Sequence, residues 1–371
     1  MGVVYFLIAL LVLAIMIFVH ELGHYTAGRL LGFKILDFSL GFGPQLIHFK
    51  RKGINYALRA IPLGGACRFY GEDDDPNSLP AEESGAVPFN SQKPWKRLIV
   101  IFAGPFMNFL LAYVLSVVML TCFGTQEVLS YDNGDYAIVI NGFAEDSRAE
   151  SCGMELYDVI VSIEGNDISD TPHTFEEKTK IISDAVDNAS AEGLSMTVLR
   201  GDELKELYIS DIYNEAGQKN VLGISMGIRQ VDVPVGFFQA LGQAGEFLVY
   251  IVKSTFEALV NGFKHGFNQG DVSGIVGTVA ITMSMASRGF RYVLLVMIII
   301  SMSLGIMNLL PILPLDGGHL LFDFIELVFG KPVPRKIQNI LSVIGLALLI
   351  LLMIYATIGD ISGLINGVFN F

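Results

Sequence analysis

The chain has 371 residues, of which 52% are hydrophobic and 16% charged, with a mean hydropathy of +0.54 and a formal net charge of −13. So apolar a chain is not an ordinary soluble globule and predicts several membrane spans. Its acidity, with no basic patch interleaved with aromatics, excludes nucleic acid as a partner.

The three cysteines, Cys67, Cys122 and Cys152, fit neither a disulfide framework nor a zinc knuckle and read as packing residues. The N-terminus lacks a basic leader region and a myristoylation signal, so the first apolar run is expected to stay in the mature protein. That run, residues 1–33, predicts a transmembrane helix. In its C-terminal third lies Phe18-Val19-His20-Glu21-Leu22-Gly23-His24. On a helix, residues four apart share one face, so His20 and His24 stand one above the other, with Glu21 close by. This is the His-Glu-x-x-His pattern: two imidazoles for a zinc ion and a carboxylate to activate its water. Ionisable groups inside an apolar span are costly, and their default reading is a functional site.

Residues 34–94 change character. Short β-type runs at 35–40, 45–49 and 54–60 are separated by the turn signals Gly41-Phe42-Gly43-Pro44 and Arg51-Lys52-Gly53, with further glycine at Gly64-Gly65. They predict a small β-sheet beside the membrane. The run Glu72-Asp73-Asp74-Asp75 and the Pro/Ser/Glu stretch after it read as a solvated loop. Residues 95–124 form a second span carrying Gly104-Pro105-Phe106-Met107-Asn108. Proline and asparagine inside a span need protein neighbours, so this stretch faces the bundle interior.

Residues 125–232 are acidic, with alternating short strands and turns. Ala144, Ser147, Ala149, Gly153 and Met154, followed by the run from Asp158 to Gly165, resemble a bacterial PDZ domain, with Tyr157 where a glycine is usual. Such a domain pairs an edge strand with a peptide; the alternative is a steric plug without a ligand. Residues 233–290 carry apolar positions at helical spacing, interrupted by Glu246, Lys253 and Glu257, and predict amphipathic, interface-lying helices. A third span at 291–315 leads into Asn308-Leu309-Leu310-Pro311-Ile312-Leu313-Pro314-Leu315-Asp316-Gly317-Gly318-His319. A loop at 316–336 and a fourth span with its tail at 337–371 complete the chain. Lysine and arginine crowd the loops after the first and third spans, which places those loops in the cytoplasm and the N-terminus and residues 125–290 outside it. Arg288 and Arg291 flank the third span against this trend.

Taken together, these motifs resemble the site-2 protease family of intramembrane zinc metalloproteases, and most closely its bacterial branch that regulates sigma-E by cleaving anti-sigma factors, here with one PDZ domain. Two departures are visible. Pro314 directly precedes Leu315, where the family's second proline stands two residues before the Leu-Asp-Gly, and Ser273-Gly274-Ile275 replaces a Ser-Gly-Pro segment. The resemblance implies a polytopic α-helical membrane protein of the bacterial plasma membrane. Four transmembrane helices, a membrane-associated β-sheet after the first and an inserted extracytoplasmic α+β PDZ domain are its expected parts. It implies one Zn²⁺ with Asp316 as third ligand beside His20 and His24, near the cytoplasmic side. His319 is a rival ligand that reads better as an interfacial histidine. Glu21 serves as general base, and Asn308 donates to the oxyanion, holds substrate backbone or bonds between helices. Asn108 is structural or substrate-contacting.

The implied activity is hydrolysis of a peptide bond in or near the span of single-span membrane proteins. Anti-sigma factors after a first outer cut, or remnant signal peptides, are the expected substrates. The lipid bilayer and a peptide or trimmed substrate end at the PDZ domain are the other partners. Since a spanning helix must unwind before it is cut, a strand at 54–60 or at 45–49 is expected to pair with the freed substrate backbone. The competing readings are a non-proteolytic zinc-binding membrane protein and a PDZ scaffold. Neither a transporter's repeated halves nor the loss of Glu21 that a silent scaffold would permit is present.

Overall fold

The computed structural model describes residues 2–72, 86–128, 137–144, 146–168, 174–190, 192–201, 203–214, 219–228, 230–266 and 274–365. Most of the acidic run at Glu72 to Asp75 lies outside them. The chain forms two compact units: residues 1–123 with 235–371, and the insertion 124–234.

The first unit opens with helix α1, Gly2–Leu30, which is apolar almost all round, as a helix in lipid must be. Strands β1, Ile35–Arg51, and β2, Ile54–Phe69, follow. The tight turn between them sits at Lys52 and Gly53, both in the left-handed region (φ 50° and 79°), the twist that two-residue hairpins favour. Gly41-Phe42-Gly43-Pro44 does not end a strand as its composition suggests; β1 runs through it with irregular register, since glycines absorb a bulge without breaking a ladder. The two strands pair twice. Asn55, Ala57 and Leu58 pair with Lys50, His48 and Ile47 on one side and with Asp37, Ser39 and Leu40 on the other, while Leu40 also pairs with Gly65 and Phe38 with Cys67. The order across the sheet is therefore 45–51, 54–58, 35–40, 65–69. The stretch 54–60 is interior over most of its length and offers no free edge there. The stretch 45–49 forms the edge farthest from 65–69, about 14 Å away at ordinary strand spacing. Phe33, Ile35, Ile54, Phe69, Phe89 and Val100 form the core beneath the sheet.

Helix α2, Pro94–Phe123, is the second apolar helix and continues through Pro105. The insertion begins with β3, Thr125–Val128, then β4, Ile138–Phe143, the short α3, Arg148–Ser151, β5, Val159–Ile163, and β6, Asn166–Asp167. Helix α4, Phe175–Asn188, starts with a capping box between Thr174 and Glu177. Strands β7, Gly193–Arg200, β8, Glu203–Ser210, β9, Tyr213–Asn214, β10, Lys219–Asn220, β11, Ile224–Ile228, and β12, Gln230–Val233, complete it. Its main sheet has the order β11-β4-β5-β7-β8, with β6 on β5, while β12 pairs with β3 so that the unit's two ends lie side by side. The core is its own: Ile138, Ile140, Ile163, Leu194, Met196 and Ile209 are almost wholly buried. Tyr157, where a glycine was expected, is exposed and holds φ 71°, a conformation costly for a side chain and tolerated because the flanking Asp158 is anchored. Arg200 donates to both Asp158 oxygens at 2.8 and 2.7 Å and to the Gly153 carbonyl.

The chain re-enters the first unit with α5, Phe237–His265, a single helix whose small face, Ala240 and Ala244, is buried beside Val117 and Leu120 of α2. Helices α6, Ile275–Ser287, α7, Phe290–Asn308, α8, Asp316–Phe329, and α9, Arg335–Ile365, follow. The stretch 316–336, expected as a loop, is thus helical over its first fourteen residues, and Asp316 opens a helix of its own and does not end the third span. An amphipathic helix with Asp323 and Glu326 on it reads as loop when spans are sought by hydropathy alone. Arg97 explains how those carboxylates are accommodated: its guanidinium reaches Asp323 at 2.8 Å and also Glu326. Four described helices, α1, α2, α7 and α9, are long and apolar enough to cross a membrane, and the chain is an integral membrane protein.

Candidate metal centre

The His-Glu-x-x-His turn of α1 faces α2, and the side chains it presents converge with the first residue of α8. His20 Nε2 lies 3.1 Å from Asp316 Oδ2, His24 Nε2 lies 3.5 Å from the same oxygen, and the two Nε2 atoms are 3.2 Å apart. Ligands held at zinc's bond length of about 2.0–2.1 Å in a tetrahedron are about 3.3 Å from one another, so the three atoms outline one face of such a polyhedron. Asp316 Oδ2 is buried without a conventional hydrogen-bond partner among the described residues; what faces it is the pair of imidazole nitrogens. Such an orphaned oxygen is costly unless a cation satisfies it. Two neutral imidazoles and a carboxylate leave one tetrahedral position open, the donor set of a hydrolytic zinc site. With Glu21 counted, two formal negative charges face a divalent ion, which suits a site of low dielectric.

Local backbone explains the convergence. A Cβ on Gly104 of α2 would come within 2.3 Å of His24 Nε2 and 2.9 Å of His20 Cε1, so only glycine leaves room for both rings. On the other flank of α1, a Cβ on Gly65 would meet Glu21 Cγ at 2.6 Å, which brings the 65–69 edge of the sheet against the carboxylate. His24 Nδ1 is 2.9 Å from the Val100 carbonyl, which leaves Nε2 free to ligate.

His20, His24 and Asp316 are therefore together, with Glu21 beside them. His319 is not in the group whose ligand atoms lie within 4.8 Å of one another among the described residues. Asn308 is the last residue of α7, directly before the turn that leads to Asp316. Asn108 is wholly buried, and its amide lies 3.3 Å from His20 Nδ1. The roles of Val100, Gly104 and Gly65 escape sequence reasoning, because all three act through a backbone atom or bare space that residue type does not advertise. Gly104 and Asn108 at least stand in one motif.

Apolar helices that bring together two imidazoles, a carboxylate able to join them as a ligand and a second carboxylate beside them define a membrane-embedded metallohydrolase. The sequence matches the model of Peptidase family M50 over residues 8–352, and the chain belongs to that family. A Campylobacter jejuni protein is 34% identical, with 97% of this chain and 94% of the relative covered. One from Agrobacterium fabrum is 31% identical over 96% and 95%, and one from Synechocystis is 32% identical over 97% and 95%. All three carry zinc-metalloprotease names. The chain is a metalloprotease and its metal is zinc.

Proposed function

We propose that this protease cuts single-span membrane proteins within or near the bilayer, with His20, His24 and Asp316 holding zinc. The observation that carries this reading is the three-atom face of 3.1, 3.2 and 3.5 Å where α1 meets the start of α8. Bound zinc supplies a lowered pKa for water and polarises the scissile carbonyl. Glu21, packed against Gly65, takes the proton of the attacking water and passes it to the leaving amine. Asn308, at the mouth of the turn before Asp316, donates to the developing oxyanion or holds substrate backbone.

A helical substrate must unwind to be cut, and its freed backbone groups then need partners. The edge beside Glu21 is 65–69, so the substrate pairs there, and neither at 54–60 nor at 45–49, the two stretches that the sequence suggests. Anti-sigma factors already trimmed outside, or remnant signal peptides, fit the requirement for a short outer segment. In this reading the insertion is a PDZ-type domain outside the cytoplasm that turns away bulky outer domains, with its β11 edge able to pair with a trimmed end. The zinc site lies toward the cytoplasmic face of the bacterial plasma membrane.

The test is Glu21→Gln. The near-isosteric change keeps packing, and zinc stays because Glu21 is no ligand. Cleavage of a single-span substrate in detergent falls by roughly 10²–10⁴-fold. Wild-type cleavage by the zinc-loaded variant would overturn the mechanism.

A further inference from the structure

Three successive turns of one face of α2 meet the two imidazoles. Val100 offers its carbonyl to His24 Nδ1 at 2.9 Å, Gly104 offers space to both rings, and Asn108 places its amide 3.3 Å from His20 Nδ1. Positions 100, 104 and 108 are four apart, so they form one ridge. The far end of the ridge is pinned: Ser301 of α7, itself wholly buried, donates its hydroxyl to the Asn108 carbonyl at 2.8 Å. The Asn108 side-chain oxygen is buried and has no hydrogen-bond partner among the described residues.

A neutral imidazole that ligates through Nε2 carries its proton on Nδ1 and needs an acceptor there. His20 turns its Nε2 toward Asp316 and His24, so ligation through that atom puts the proton on Nδ1. His24 has a carbonyl in that role. For His20 the only neighbour in reach on the ridge is the Asn108 amide, whose oxygen and nitrogen exchange places by a half turn about its last bond.

We propose that Asn108 is a positioning residue that accepts the His20 Nδ1–H through its side-chain oxygen, thereby fixing the tautomer and tilt of the first zinc ligand. This rests on the metal reading above. It gives the buried oxygen a partner and assigns α2 the task of holding both imidazoles in their ligating form, one through backbone and one through a side chain. The Ser301 hydroxyl then ties that alignment to α7, the helix that leads toward Asp316.

The experiment is zinc affinity of the purified full chain by chelator competition, with thermal unfolding of the metal-free protein as a check on the fold. Asn108→Asp can only accept and keeps the affinity. Asn108→Leu, of similar size and without an acceptor, loses about 10–100-fold while the metal-free protein melts as before. Wild-type affinity in the leucine variant would overturn the proposal. So would an equal loss in the aspartate variant, which would mean that the amide serves as donor; that arm decides even if the leucine variant does not fold. His20→Ala is the control that separates the two readings. Zinc bound undiminished after His20→Ala would overturn the metal reading itself, and this inference with it.

Discussion

At the scale of single residues, Asp316 is the most demanding placement. Its carboxylate is one residue into a helix and has its neighbours supplied by a different helix, α1. Removing it leaves two imidazoles, fewer ligands than a hydrolytic zinc site uses. Asp316→Ala is therefore expected to lose stoichiometric zinc on metal analysis of the purified protein; undiminished zinc would exclude it as a ligand. Asp158 shows the same economy in a soluble setting. Burial pushes its carboxyl up, but the Arg200 guanidinium and the Glu155 backbone N–H pull it further down, to a net value below the ordinary one. A depressed folded-state pKa means the unfolded chain takes up the proton first. The stabilisation is thus complete above the unfolded value of about 3.9 and is lost as pH falls through the lower folded value. Urea unfolding of the 124–234 unit is expected to show a stability drop below about pH 4 that Asp158→Asn lessens. An unchanged acid slope in the variant would assign the loss to other groups.

At the scale of elements, the proposed pairing with a substrate strand depends on the strand order of the hairpin β1–β2. Interior strands have both edges spent, so only outer segments can recruit a new strand. Proline removes a ladder donor. Substitution by proline at Ala66 is expected to lower cleavage steeply while zinc stays bound, whereas proline at Leu46 or Ile47, exposed on the far edge, leaves it near wild type. The reverse pattern, read in one cleavage assay with zinc measured alongside, would move the docking edge back to 45–51. Among the helices, α8 owes its place to a buried ion cluster: Arg97 reaches it near the start of α2, on the helix whose next turns line the imidazoles. The Arg97 clamp thus holds Asp316's helix to the same helix that lines His20 and His24 of α1, which leaves the three side chains little freedom to drift apart.

At the scale of the whole molecule, the insertion has its own core and enters and leaves through adjacent strands. Val128 pairs with Gln230, so deleting residues 130–228 leaves those strands joined by two residues, the length of a tight hairpin loop. The shortened protein is expected to fold, bind zinc and cut a short model substrate at least as well as the full chain, and to admit substrates whose outer domains are untrimmed. A folded, zinc-loaded deletion protein without any cleavage would contradict the role of filter.

The sequence by itself determined the class of chemistry and the number of spans. Two histidines and a glutamate at helical spacing in an apolar run are a local signal, and hydropathy is a sum over neighbours in the chain, so neither needs the fold to be read. The partners of those residues are another matter. Asp316 stands almost three hundred residues from His20, and its belonging to the site came from likeness until α8 was seen to begin there. That 54–58 is interior and 65–69 abuts Glu21 follows from strand order, which alternation of side chains does not encode. The duties of Val100 and Gly104 lie in a carbonyl and an absent Cβ, features that acquire meaning only when α1 packs against α2. Local patterns write the catalytic turn; long-range packing alone chooses what surrounds it.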